Sequence, residues 1–100
     1  MADLITVYWR DIPAQVIVKK GRREQVKRVL DERFEKAIDR AAMRGKARST
    51  DDYLAEWRKA DPVTVSDDLE AEAEKAAAAL EAEYDEARLA ALVEAGGRAE

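Results

Sequence analysis

Tyr8-Trp9-Arg10-Asp11-Ile12-Pro13-Ala14-Gln15-Val16-Ile17-Val18 decides how this chain is read. Two apolar runs flank a short polar break. The first run, Leu4 to Arg10, is rich in β-branched and aromatic residues, which suit a pleated, half-buried setting. Ile5, Val7 and Trp9 share one strand face, and Leu4, Thr6, Tyr8 and Arg10 share the other. Asp11-Ile12-Pro13 interrupts, since Pro13 has no N–H to give a ladder and fixes φ. Ala14 to Lys19 resumes the strand pattern. The connection is too short for a parallel crossover, so the two runs are expected to pair as an antiparallel hairpin.

Downstream, the pattern turns helical. Gly21 punctuates the Lys19-Lys20-Gly21-Arg22-Arg23 cluster, and a helix is expected to open at Arg22 or Arg23. Val26, Val29, Leu30, Phe34, Ala37, Ile38, Ala41 and Ala42 then recur at three- and four-residue steps, with a stop expected at Gly45. Ser49-Thr50-Asp51-Asp52 is a helix-start cluster, and Tyr53, Leu54 and Trp57 give a second helix its buried side, up to about Lys59. Asp61-Pro62 ends that helix, and Val63-Thr64-Val65 reads either as a linker or as a short third strand. Ser66 is expected to cap a third helix striped by Leu69, Ala73, Ala76, Leu80, Tyr84, Ala87 and Ala91 and ended by Gly96-Gly97. About 28 residues at 1.5 Å per residue make a rod of about 42 Å. That is longer than a domain this small is wide, so the helix must project, kink or pack on something else.

The expected fold class is therefore α+β: an N-terminal antiparallel hairpin packed on three helices, the last one long. Residues 1–65 form a compact core, and residues 66–100 a C-terminal helix that either belongs to the same domain or projects from it. One hundred residues bury one modest core and leave little room for a deep substrate cavity.

Composition excludes a good deal of chemistry. There is no Cys and no His, so disulfides, thiol nucleophiles, thiolate metal sites and imidazole triads are ruled out. No metal and no cofactor is expected, and the enzyme reading is disfavoured. No apolar run approaches the roughly 18 residues that cross a bilayer. The acidic Met1-Ala2-Asp3 start lacks the features of a signal peptide, which gives a cytoplasmic expectation. The net charge of −4 divides into +6 over residues 1–48 and −10 over residues 49–100. Such a bipolar chain can complement itself or an oppositely charged partner, or simply carry two solvated faces of opposite sign.

The candidate binding residues are Trp9, Arg10, Asp11, Gln15, Arg22 and Arg23. Trp9 beside Arg10 is either a docking anchor or core, and its shared face with Ile5 and Val7 favours core. Gln15 can orient a ligand or lie in solvent. Arg22 and Arg23, at an expected helix N-terminus, point to an anionic small molecule or an acidic partner surface. The acidic second half speaks against nucleic acid.

Trp9-Arg10-Asp11-Ile12-Pro13-Ala14-Gln15, together with Gly21-Arg22-Arg23, Arg33-Phe34-Glu35 and Tyr53-Leu54-Ala55-Glu56-Trp57, resembles the bacterial "virulence factor" domain family over roughly residues 4–60. The resemblance implies an accessory or adaptor role: a non-catalytic module that binds a protein partner or forms a homodimer through the hairpin edge and the long helix. Small members that neighbour tetrahydrofolate and corrinoid methyl-transfer genes imply an alternative. That alternative is an accessory subunit of a one-carbon enzyme system that holds an anionic ligand.

Overall fold

The computed structural model describes residues 1–44 and 50–97, with the side chains of Thr50 and Asp52 left aside. The elements run β1 (Ala2–Trp9), β2 (Ile12–Lys20), β3 (Glu24–Val29), α1 (Glu32–Arg44), α2 (Thr50–Ala55), β4 (Trp57–Lys59), β5 (Val63–Val65), α3 (Leu69–Glu83) and α4 (Glu86–Glu94). The fold is α+β, with the hairpin at its centre. The helix stop at Gly45, the cap at Ser49 and the tail after Gly97 lie outside the described residues.

β1 and β2 pair antiparallel, from Asp3↔Lys19 to Trp9↔Ile12. The turn is Arg10-Asp11, one step earlier than Pro13 suggested. Pro13 sits inside β2 opposite Tyr8, next to the register shift at Val7/Tyr8. A bulge is where a strand tolerates proline, because the ladder is already interrupted there.

The helix expected from Arg22 begins ten residues later. Gly21, at φ +67°, and the two arginines close a turn, and residues 24–29 return along β2 as a strand, from Lys20↔Glu24 to Gln15↔Val29. Val26 and Val29 fit a helical step by sequence, but here they lie on opposite faces of an edge strand. Val26 meets the core, and Val29 is 63% exposed. Asp31 then starts α1 by accepting from the Arg33 amide at 3.1 Å. Phe34, Ala37, Ile38, Ala41 and Ala42 form its buried stripe, as expected.

The second helix ends at Ala55 instead of Lys59. Trp57–Lys59 pairs with Val7–Trp9, and Val63–Val65 is a strand that pairs with Ala2–Leu4. The two are one strand with an extra residue at Asp61-Pro62, where the ladder steps over proline. Ala60 still donates to the Thr6 carbonyl at 2.9 Å. The sheet is thus an antiparallel β3-β2-β1-(β4, β5). Both hairpin edges are taken, so the hairpin edge on which docking was expected is closed.

The long third helix is broken. Asp68, not Ser66, caps α3 by accepting from Ala71 N–H at 3.3 Å. The chain bends at Tyr84, and Asp85 caps α4 by accepting from Arg88 N–H at 2.8 Å. Of the three ways a rod too long for its domain can be accommodated, the kink is the one adopted. The break resets the helical phase, so that Leu89 and Leu92, off the predicted stripe, become core. α3 packs on β1, β2 and β3, and α4 packs on α1.

Candidate functional site

Trp9-Arg10-Asp11 is a junction of three chain segments. Trp9 is fully buried, its Nε1–H donates to the Tyr53 carbonyl at 2.9 Å, and its ring stacks on Tyr53. Arg10 has φ +52°, a place in a two-residue turn that normally suits glycine. Its surroundings fix that geometry. Its amide donates to the Glu56 carbonyl at 3.1 Å, and the next amide, Asp11 N–H, donates to Gly97 O at 2.8 Å. Its Nη1 donates to Gly96 O at 2.6 Å, and its guanidinium lies 4.7 Å from the Trp9 ring centre. This guanidinium caps the carbonyl end of α4, the favourable place for a cation. The glycine turn there is a Schellman closure, with Gly97 N–H donating to Leu92 O at 2.7 Å and Gly96 N–H to Val93 O at 3.0 Å.

The other predicted residues lie elsewhere. Gln15 is half-buried beside Val29, Leu30, Ile38, Tyr53 and Trp57 in a small cleft of about 280 Å³. Arg22 and Arg23 are exposed in the β2–β3 turn, which leads into a strand and offers no helix amides. Nine strand residues of β2 separate them from Arg10, about 30 Å at 3.3 Å per residue. No one small ligand spans both.

Part of the charge asymmetry of the sequence is neutralised inside the molecule. Cations of the first half meet anions of the second: Arg10–Glu56 at 3.5 Å, Lys20–Asp67 at 3.3 Å, Arg28–Glu74 at 2.6 Å and Arg44–Glu94 at 2.5 Å. Arg33 donates to Glu81 O at 2.6 Å and caps the end of α3 at the bend. Each exposed pair contributes little, but together they orient the acidic helices over the sheet. Lys20 and the Met1 ammonium converge on Asp67. The hydrogen bond from the ammonium and then that from Lys20 hold its pKa below the ordinary carboxylate range.

What remains is the opposite face of the sheet. Arg28, which reaches α3, is paired with Val16, so α3 covers the Val16–Val18 side. Ile5, Val7 and Ile17 point the other way. They stand outside the core cluster that the helices complete, Ile5 and Val7 only 7% exposed between their neighbours and Ile17 half-buried. Val29 extends this apolar strip, and the exposed Lys19, Lys27 and Lys59 border it. None of these lysines has an ion-pair partner among the described residues.

On the helix side, Tyr8, Asp11, Arg58, Tyr84 and Arg88 line an open cleft of about 490 Å³. Arg58 lies over the Tyr8 ring at 4.6 Å, and Arg88 over the Tyr84 ring at 4.1 Å. Burial, and then the neighbouring Tyr8, push the Tyr84 phenol pKa up. Sequence reasoning missed Arg58, Tyr84 and Arg88. They stand on three separate elements, and the sole local signal was Asp85 as a helix cap.

The virulence factor family model matches residues 7–93, from the end of β1 to α4. The chain belongs to that family. No curated protein and no solved structure matches it significantly. The match takes in β2, β3, β4, β5 and both halves of the broken helix, and so runs well past the residues 4–60 that carry the resemblance. In this virulence factor domain, no group of three or more carboxylates among the described residues could hold a metal ion, and no described helix is long and apolar enough to cross a membrane.

Proposed function

We propose that this domain is a non-catalytic interaction module that docks an acidic protein surface on the lysine-bordered face of its sheet. One observation carries the reading. Lys19, Lys27 and Lys59 make no ion pair among the described residues, and they stand around the half-buried Ile17 and the exposed Val29 on one face of the sheet. An apolar centre with a charged rim is the usual anatomy of a protein interface, and the rim's sign selects an acidic partner. A separate partner is favoured over a second copy. The acidic surface of this chain lies on α3, across the sheet, so lysine face to helix face would be a head-to-tail contact that does not close.

The test compares the wild-type domain with Ile17→Glu and Lys27→Glu, each immobilised and exposed to native lysate at low and moderate salt. The expected result is a species held by the wild type, identified by mass spectrometry, lost with either variant and weakened by salt, while the variants keep the wild-type circular dichroism. A monomer by light scattering that captures nothing the variants do not capture sinks the reading. A dimer abolished by Ile17→Glu would replace the separate partner with a second copy.

A further inference from the structure

We propose that the cleft between Tyr8 and Tyr84 binds a small monocarboxylate carried on a flat apolar body. The cleft is on the helix side of the sheet, since Tyr8 alternates with Val7 along β1, so this site is independent of the docking face. Its volume of about 490 Å³ falls within the range of small-molecule sites. β1 supplies Tyr8, β4 supplies Arg58, and the bend between α3 and α4 supplies Tyr84 and Arg88.

Each guanidinium lies over a phenol ring, at 4.6 and 4.1 Å from its centre. A stacked guanidinium is preorganised for bidentate recognition of a carboxylate. Each has five N–H donors, and only part of that number is used. Arg58 gives Nε–H to Arg10 O at 3.0 Å and an Nη2–H to Asp11 Oδ1 at 3.2 Å. Arg88 uses Nη1 alone, on the Glu83 carboxylate at 3.2 Å and the Glu83 carbonyl at 3.5 Å. Neither phenol hydroxyl has a hydrogen-bond partner among the described residues. The site thus holds donors in excess of acceptors, the requirement of an oxyanion.

The charge balance selects the type of anion. Arg58 and Arg88 are each already paired with one carboxylate, Asp11 and Glu83, so the site tolerates one added negative charge better than the two of phosphate. The side chains of Ala60, Ala91, Leu92 and Ala95 also line the cleft, offer no hydrogen bonds and seat a flat apolar body.

The experiment titrates the isotope-labelled protein with benzoate, its neutral isostere benzamide and inorganic phosphate, following backbone amide and arginine Nε–H resonances. Benzoate is expected to give saturable shifts centred on Tyr8, Arg58, Tyr84 and Arg88, with benzamide and phosphate at least tenfold weaker. Arg88→Gln is expected to weaken benzoate tenfold or more. Ala91→Leu, which fills the wall without altering charge, is expected to block it while the rest of the spectrum stays in place. Benzoate shifts no larger than those of benzamide, shifts centred on the sheet lysines, or full binding by both variants would overturn the proposal. Phosphate binding at the same residues more tightly than benzoate would overturn the choice of a carboxylate.

Discussion

The indole of Trp9 packs directly on the backbone of Gly97: a Cβ placed on that glycine would lie 2.9 Å from Trp9 Cζ3 and 3.3 Å from Arg10 Cδ. Gly97 also has φ +94°, which side-chain-bearing residues rarely adopt. Gly97→Ala therefore meets two costs at once and is expected to destabilise the domain by about 2–3 kcal/mol. Urea denaturation measures it. Gly21→Ala is the control, with positive φ but open space around it, and is expected to cost about 1 kcal/mol.

Trp9 is expected to be a stability residue and not a surface anchor. Trp9→Ala removes a fully buried ring and its bond to the Tyr53 carbonyl, at an expected cost of about 4 kcal/mol. Trp9→Phe restores most of the volume but leaves that carbonyl short of a donor, and is expected to cost about half as much. Thermal melts of the two variants check the order.

Arg33 holds the bend between α3 and α4 through Glu81 O at 2.6 Å and Tyr84 O at 3.4 Å. Arg33→Ala is expected to cost about 2 kcal/mol, because two helix-end carbonyls lose a charged donor. Arg33→Lys recovers part of this, since one ammonium reaches a carbonyl without the planar fork. Equal melting temperatures for Arg33→Ala and the wild type would remove the capping role.

The Asp67 pKa is lowered in the fold, so its contribution to stability is present above the unfolded-state value and is lost as pH falls through the folded one. Asp67→Asn is expected to melt slightly below the wild type at neutral pH. The two should converge only as pH falls below the ordinary carboxylate range, through the lowered folded-state value. A gap that persists in acid would place the effect in packing instead of charge.

Tyr53 and Tyr84 phenols both titrate above the ordinary tyrosine value. For Tyr53 the first cause is burial and the second is the Asp39 carboxylate. A raised pKa means that the fold favours the neutral phenol, so this stability is intact below about pH 10 and is lost as pH climbs beyond it. Asp39→Asn is expected to lower the Tyr53 midpoint, read from phenolate absorbance.

The sequence made the hairpin, the buried Trp9, the α1 stripe and the closing glycines legible, because each is written in contiguous residues. β3 was hidden by coincidence: Val26, Val29 and Leu30 satisfy a helical step, while an edge strand with one half-buried position shows almost no alternation. Trp57 was read into a helix because its spacing from Tyr53 suits one, and its pairing with Trp9 across the sheet is a non-local fact. The break at Tyr84 could have been seen from Asp85-Glu86, an acidic helix start inside an otherwise continuous stripe. The cleft residues come together only through the topology, and no local spacing announces them.

β1 draws its neighbours from both directions. One is the strand that immediately follows it, and the other arrives only with residues 57–65. Its turn is then sealed by Gly96 and Gly97. During synthesis the ribbon around Trp9 is therefore completed only after residues 57–65 and then 96–97 have left the ribosome. Fragments interrupted before that point would carry Trp9 on the outside, where chaperones and proteases meet it first.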